Sequence, residues 1–190
     1  MKNTRVFVLL IFFISLFISV TTIAGAKSDR ELLPDVTLTV PVDRDHIQYL
    51  GLKGEPGTAF KLSDIDADIM IIEIFSMYCP HCQKAAPKVN ELYQKMEEMK
   101  RADLKLAIIG IGASNTDLEV NTFRKGFDIA FPLFSDQDLS IYHTLAGKGT
   151  PTFIGCKKDG NKRVIFFRKS GGFTDPFDFL NNLLNRSGLK

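Results

Sequence analysis

The sequence predicts an α/β domain in which a mixed central sheet is flanked by helices. Residues 69–75 and 104–111 are almost uninterrupted apolar runs, which is typical of strands covered on both faces. Apolar residues between these runs recur at three- and four-residue steps, which favours a helix. Near the C-terminus, Lys158-Asp159-Gly160-Asn161 separates two further apolar segments and is typical of a hairpin turn.

The N-terminal half supplies the first strands and helices. Residues 36–40 alternate like a short strand, and residues 43–52 are ambiguous. The strand at 69–75 is followed by a predicted helix from about residue 80 to Arg101. The strand at 104–111 is closed by Gly112, and Asn115 or Thr116 can cap a helix through residue 124.

The C-terminal half completes the sheet. We expect a short strand at 131–134, a short helix at 139–145, and hairpin strands at 152–157 and 163–169. Thr174-Asp175-Pro176 opens a last helix that runs to about residue 185. Two β-α-β crossovers imply parallel strand pairs, and the hairpin adds an antiparallel pair, so the predicted sheet is mixed.

The first 26 residues have the pattern of an export signal. Lys2 and Arg5 precede an uncharged apolar run, and Ala24-Gly25-Ala26 has the small-x-small form that signal peptidase cleaves. The run is also long enough to cross a bilayer as a helix. We therefore expect residues 1–26 to be a signal peptide or an N-terminal membrane anchor. Residues 27–190 would then form the working domain, outside the cytoplasm.

The charge of that domain argues against a nucleic-acid partner. The whole chain has 24 Lys and Arg residues and 22 Asp and Glu residues. Lys2 and Arg5 are the only charged residues among the first 26, so basic and acidic side chains are equal in number afterwards. No basic block of the kind that binds phosphates is present.

Two of the three cysteines form the pattern Cys79-Pro80-His81-Cys82, where a buried strand gives way to a helix. Unpaired amides and the helix dipole favour a thiolate at such a junction, so we expect Cys79 to be an exposed nucleophile with a low pKa. Pro80 suits the first helical position. Cys82, one turn further, is expected to be shielded and to resolve a mixed disulfide. His81 adds a polar, sometimes positive group that is expected to lower the pKa of Cys79 further.

Other interpretations of the cysteine pair are a permanent structural disulfide and half of a zinc site. A zinc site usually needs a second pair of ligands, and only His46, His143 and Cys156 remain, widely scattered. We therefore expect neither a metal nor a cofactor. His46 and His143 are interpreted as surface or hydrogen-bonded residues. Cys156 is interpreted as a buried, inert thiol, with a third redox role as the alternative.

Residues 73–82, Glu-Ile-Phe-Ser-Met-Tyr-Cys-Pro-His-Cys, resemble the thioredoxin superfamily, and their local sequence resembles its DsbA branch. Pro87 and the segment Gly149-Thr150-Pro151-Thr152-Phe153 are similar to the helix-kinking proline and the cis-proline loop found in that superfamily. The interval between Cys79 and Pro151 has no room for the extra helical domain of DsbA proteins. The overall plan therefore resembles the TlpA/ResA-like group, with a DsbA-like Cys-Pro-His-Cys motif.

This resemblance implies a thioredoxin-like fold and several site residues. Thr150, Pro151 and Tyr78, which stands where a tryptophan is common, would contact substrate, and the Thr150–Pro151 bond would be cis. Glu73 would accept the proton of Cys82, since a carboxylate without a partner on a buried strand is costly. Glu73 could instead lie at a sheet edge beside a lysine, and Pro151 could be an ordinary turn proline.

The expected function is that of an exported thiol–disulfide oxidoreductase, located in the periplasm or on the outer face of the membrane. It would exchange disulfides with exported protein thiols, and a membrane redox partner would recycle the pair; the direction of electron flow stays open. A peroxiredoxin-like peroxidase is one alternative, although Ile72 stands where that motif needs a proline. A copper-binding chaperone that uses Cys79, Cys82 and His143 is another.

Overall fold

The computed structural model describes residues 30–99 and 103–189, so the predicted signal segment lies outside the described residues. No helix in these two ranges combines the length and the apolar character that a membrane span requires. In chain order, the elements are β1 (Thr37–Thr39), α1 (Arg44–Leu50), β2 (Ala59–Lys61), a 3-10 turn (Leu62–Asp64), β3 (Ile69–Phe75), α2 (Pro80–Glu98), β4 (Leu106–Ala113), α3 (Asp117–Gly126), β5 (Leu133–Asp136), α4 (Ser140–Thr144), β6 (Thr152–Asp159), β7 (Lys162–Ser170) and α5 (Pro176–Ser187).

The main sheet has five strands in the order β5-β4-β3-β6-β7. The β3–β4 and β4–β5 pairs are parallel, whereas β3–β6 and β6–β7 are antiparallel. The predicted mixed sheet flanked by helices is therefore confirmed. A separate antiparallel pair, β1 with β2, packs against one face of this sheet.

Strand β3 lies at the centre of the sheet, and every one of its residues is buried. Met70, Ile72 and Ile74 join the core beneath the β1–β2 pair. Ile71 and Phe75 point to the opposite face and join the core that α2 and α5 cover. Because side chains alternate along a strand, Glu73 belongs to this second face, which also contains Cys82.

Several predicted boundaries are wrong, for identifiable reasons. The predicted strand at 131–134 begins instead at Leu133, since Pro132 has no N–H to add to the ladder. Gly112 does not close β4, which continues to Ala113. A side chain at Gly112 would place its Cβ 2.7 Å from Val120, so this glycine lets α3 pack closely against the strand. The helix predicted to reach Arg101 ends at Glu98, and Arg101 is outside the described residues.

The N-terminal elements were ambiguous or missed in the sequence. Residues 43–52 contain α1, whose start is capped by Asp43 and whose end is capped by Gly51 in the left-handed conformation. The segment before β1 pairs with the exposed edge of β7: Leu33 N–H donates to Arg163 O, and Ile165 N–H donates to Glu31 O. This pairing covers an edge that would otherwise be open to another chain.

Candidate active site

Cys79 lies directly before the first turn of α2 and four residues after Phe75, the last residue of β3. Its backbone is extended at the N-cap position, and Pro80 occupies the start of the helix. The amides of Cys82 and Gln83 donate to the Cys79 carbonyl at 3.0 and 3.1 Å, which closes the first helical turn. Proline at this position costs the helix no hydrogen bond, because the first-turn amides have no carbonyl partner within the helix.

The Cys79 thiol is only partly buried and donates to the Thr150 carbonyl oxygen at 3.3 Å. Partial burial opposes ionisation of this thiol, but hydrogen bonds from the Thr150 side chain, from Cys82 and from the His81 backbone outweigh it. The pKa of Cys79 is therefore lowered from its ordinary value. A thiolate is the nucleophilic form of cysteine, so Cys79 is the more reactive member of the pair near neutral pH.

Cys82 is fully buried, one turn into α2. Desolvation raises the pKa of its thiol to about 12, and the charge of Glu73 acts in the same direction. The structure thus places the accessible thiol first and the shielded thiol second. This is the arrangement that the sequence led us to expect.

The Thr150–Pro151 loop faces Cys79 because β6 runs antiparallel to β3. Thr152 pairs with Ile74, so the start of β6 lies beside the end of β3. The Thr150–Pro151 peptide bond is cis, as predicted. The Thr152 hydroxyl donates to the Gly149 carbonyl at 2.8 Å and stabilises the turn that carries Thr150.

Glu73 is buried within the central strand, with only 2% of its surface exposed. Its neighbours across the ladder are Gly110 on β4 and Phe153 on β6. Burial alone raises the pKa of its carboxyl to about 8. Within the described ranges no lysine or arginine pairs with it, and the strand is not at a sheet edge, so the alternative interpretation of Glu73 is wrong.

Tyr78 directly precedes Cys79 and His81 lies between the two cysteines, and both are exposed. The contribution of His81 to the Cys79 thiolate comes from its backbone N–H, which any residue at this position would supply. Tyr78 is 64% exposed, and its hydroxyl donates to Glu119 at the start of α3. Both side chains are therefore accessible to a molecule that approaches Cys79.

Two residues that the sequence analysis did not assign to the site hold the loop in front of Cys79. Asn115 Oδ1 accepts a hydrogen bond from the Met77 N–H at 2.9 Å. Gln83 Nε2 donates to the Met77 carbonyl at 2.7 Å. Asn115 was predicted only as a possible helix cap, and Thr116 takes that role instead. The available signal was an amide side chain two residues after a buried strand.

The remaining cysteine and the two other histidines lie apart from the pair. Cys156 is fully buried on the opposite face of the sheet, 3.5 Å from the Met70 carbonyl, and desolvation raises its pKa to about 11. His46 is buried and bonds the Ala130 carbonyl at 3.1 Å, while His143 is an exposed residue of α4. Across residues 30–99 and 103–189, no three His, Cys, Asp or Glu side chains are grouped so that they could hold a metal ion.

The sequence model of the thioredoxin-like family matches residues 66–162, about half of the chain, including both cysteines of the pair and Pro151. The chain belongs to the thioredoxin-like family. This thioredoxin-like chain is 30% identical over 104 residues to the thiol-disulfide oxidoreductase ResA of Bacillus cereus, a match that covers 55% of the chain and 57% of ResA. It therefore spans a little over half the length of the curated relatives that it matches.

Solved structures support the fold assignment. StoA from Bacillus subtilis matches with a TM-score of 0.53 and 17% identity, over 67% of this chain and 89% of StoA. Peroxidoxin BcpB from Mycobacterium tuberculosis matches with a TM-score of 0.58 and 16% identity, over 85% and 97% of the two chains. At these identities the likeness concerns the fold alone, so function has to be argued from the site.

Proposed function

We propose that this thioredoxin-like chain is a thiol–disulfide oxidoreductase that acts on exported proteins through Cys79 and Cys82. The main support is the contrast between the two thiols. Cys79 is accessible and has a lowered pKa, whereas Cys82 is buried and has a raised pKa. This asymmetry lets one cysteine attack a substrate while the other stays protected until a mixed disulfide has formed.

The exchange proceeds in two displacements. The Cys79 thiolate attacks one sulfur of a substrate disulfide; the substrate S–S bond breaks, a bond from Cys79 to that sulfur forms, and the other substrate sulfur leaves and takes up a proton. Cys82 then loses its proton and attacks Cys79 Sγ. The bond to substrate breaks, and the substrate is released with two thiols while Cys79 and Cys82 form a disulfide. The reverse sequence oxidises a substrate dithiol, and no cofactor is needed in either direction.

Glu73 moves the proton of Cys82. The two residues share one buried face of the sheet, away from solvent that could take the proton. With a pKa of about 8, the carboxyl is mostly protonated at neutral pH and can supply a proton to a leaving Cys82 thiolate. In the other direction the ionised carboxylate accepts that proton. Pro80 starts the helix that separates the two thiols, and the backbone N–H of His81 favours the Cys79 thiolate.

Substrate binds beside Cys79, against Thr150, Pro151 and Tyr78. Thr150 lies in contact with Cys79 and is partly exposed, so an extended substrate segment can pair with its backbone. Tyr78, the residue before Cys79, offers an exposed aromatic ring. This arrangement fits a polypeptide substrate better than a small peroxide.

Residues 1–26 direct the protein out of the cytoplasm, where disulfides persist. A membrane redox partner then returns the pair to its working state after each cycle. The name of the ResA relatives supports the activity, and the composition of residues 1–26 supports the location.

Trapping experiments test this proposal. Cys82→Ser should accumulate mixed disulfides through Cys79, because the resolving thiol is absent, whereas Cys79→Ser should accumulate none. Mass spectrometry after alkylation, with and without dithiothreitol, identifies the bonded cysteines. Cys156→Ser is the matched control and should behave as the wild type does. A disulfide from Cys156 to either member of the pair would overturn the assignment.

The two alternative functions need separate assays on the same reduced protein. Insulin reduction reports disulfide exchange, peroxide consumption reports a peroxidase, and copper titration reports a metal chaperone. We expect activity in the first assay alone. Peroxide turnover that depends on Cys79 and exceeds insulin reduction would favour the peroxidase.

A further inference from the structure

Met77, two residues before Cys79, is held at both of its backbone polar groups by side chains from different elements. Asn115 accepts from its N–H at 2.9 Å, and Gln83 donates to its carbonyl at 2.7 Å. Asn115 follows β4, whereas Gln83 belongs to α2. The short loop between β3 and Cys79 is therefore tied both to the neighbouring strand and to the helix that it precedes.

Asn115 is built into this position. It is completely buried, its N–H donates to the Gly112 carbonyl at 3.0 Å, and its Nδ2 donates to the Ser114 carbonyl at 3.1 Å. Its Cβ would lie only 3.2 Å from a Cβ added at Gly112, so the glycine leaves room for it. Thr116 caps α3, which leaves the side-chain oxygen Oδ1 of Asn115 to accept from the Met77 N–H.

We propose that Asn115 is a positioning residue for the redox pair: by bonding Met77, it fixes the distance between Cys79 and the Thr150 loop. This inference rests on the proposed function, and it adds a residue outside the Cys-Pro-His-Cys motif on which thiol exchange depends. Asn115 itself touches neither cysteine through any hydrogen bond of the described residues.

The distance between Cys79 and the Thr150 loop matters because the interactions that favour the Cys79 thiolate act only over a short range. They come from Thr150 on one side and from the start of α2 on the other, and hydrogen bonds weaken steeply as the partners separate. Loss of the Asn115 bond frees the Met77 N–H and lets the loop move relative to both partners. The thiolate then loses part of its stabilisation, while the rest of the fold stays in place.

Asn115→Ala tests the proposal, with Asn90→Ala as the matched control. Asn90 is likewise an asparagine that ties two segments together, since its Nδ2 donates to the carbonyls of Phe127 and Asp128, although it is only partly buried. It lies on α2 about 16 Å along the helix axis from Cys79, at about 1.5 Å per residue. Both variants remove an amide that bridges to the main chain, but only Asn115 touches the loop before Cys79.

The measurement is the rate of iodoacetamide reaction at Cys79 of the reduced full chain from pH 5 to pH 10, read by mass spectrometry. We expect Asn115→Ala to move the midpoint of the curve of rate against pH, which reports the pKa of Cys79, to higher pH. The reaction at pH 6 should slow by about threefold to tenfold, since one pKa unit changes the thiolate fraction about tenfold. The rate at pH 10 should stay close to that of the wild type. Asn90→Ala should lower the melting temperature without moving the midpoint.

Gln83→Ala covers the case in which Asn115→Ala does not fold. Gln83 is exposed, and its replacement should shift the midpoint in the same direction by a smaller amount. An unchanged midpoint in both variants, or an equal shift in Asn90→Ala, would overturn the positioning role. A wild-type midpoint at or above the ordinary value of 9 would instead contradict the proposed function itself, so the two failures are distinguishable.

Discussion

Replacement of Glu73 by glutamine should make the protein more stable at pH 8 and slower in disulfide exchange. Glutamine has nearly the shape of glutamate but does not titrate, so it removes the buried acid without opening a cavity. The carboxyl of Glu73 is buried in the central strand, and its pKa rises from 4.5 to about 8 because of desolvation. The folded protein therefore holds a proton that the unfolded chain releases.

The sign of the pH effect follows from that proton. Between pH 4.5 and 8 the folded state binds more protons at this site than the unfolded state, so stability falls as pH rises through this window. Each unit of difference in pKa corresponds to about 1.4 kcal/mol. Relative to Glu73→Gln, the wild type should lose about 3 to 4 kcal/mol of unfolding free energy between pH 5 and pH 8.

Urea unfolding of the two reduced proteins at pH 5, 6, 7 and 8 measures this effect. The difference between them isolates Glu73, because Cys79 and the other titrating groups are common to both. Glu91→Gln, on the exposed face of α2, is a matched control that removes a carboxylate without changing the core. If the difference between wild type and Glu73→Gln does not change with pH, the carboxyl is not buried as a neutral acid.

The same variant should lengthen the lifetime of the mixed disulfide, because glutamine cannot accept the proton of Cys82. Quenched-flow trapping of the Cys79-linked intermediate measures this lifetime. Resolution at the wild-type rate would contradict the role of Glu73 in proton transfer while leaving the stability argument intact.

Three further predictions concern other residues. His81→Ala should leave the reduction potential close to that of the wild type, because the hydrogen bond that favours the Cys79 thiolate comes from the backbone N–H at position 81, which alanine keeps. Titration in glutathione buffers measures the potential. A value more negative by about 30 mV, which corresponds to about one unit in the pKa of Cys79, would show that the imidazole acts instead. Cys156→Ala should leave that potential unchanged, which the same titration checks. Alkylation of the folded wild type should not modify Cys156, because this thiol is buried and its pKa is about 11; mass spectrometry checks this point. Arg163→Met should lower the free energy of unfolding, measured in urea, by about 3 kcal/mol. The buried guanidinium donates to three main-chain carbonyls of residues 62–67, and these carbonyls would lose their partner. A decrease of less than about 1 kcal/mol would contradict this prediction.

The sequence was sufficient for the parts of the fold that rest on long, regular patterns. β3 reads as a strand because its apolar run is nearly continuous, and α2 reads as a helix because its apolar positions repeat over five turns. The cysteine pair could be placed at their junction for the same reason. A three-residue strand such as β2 is too short for the alternation of apolar and polar residues to be recognised, so β2 was not predicted.

The supporting residues of the site could not be predicted, because their partners are remote in sequence. Asn115 bonds a residue 38 positions away, and only the parallel pairing of β3 with β4 brings the two together. The sequence also assigned the tuning effect of position 81 to the imidazole, whereas the interaction present in the structure belongs to the backbone N–H. A side-chain type indicates what chemistry is available but not which of a residue's groups is close enough to act.

The antiparallel pairing of β6 with β3 also determines when the site can form during folding. Thr150 and Cys79 are 71 residues apart in the chain and meet only after the C-terminal hairpin has docked beside β3. Closing so long a loop is slow compared with forming a local turn, so the helix that carries the cysteines can fold well before its opposing loop arrives. During that interval both cysteines lack their native surroundings, and neither the protection of Cys82 nor the reactivity of Cys79 yet exists. A chain emerging into an oxidising compartment would therefore acquire selective thiol chemistry only at the end of folding.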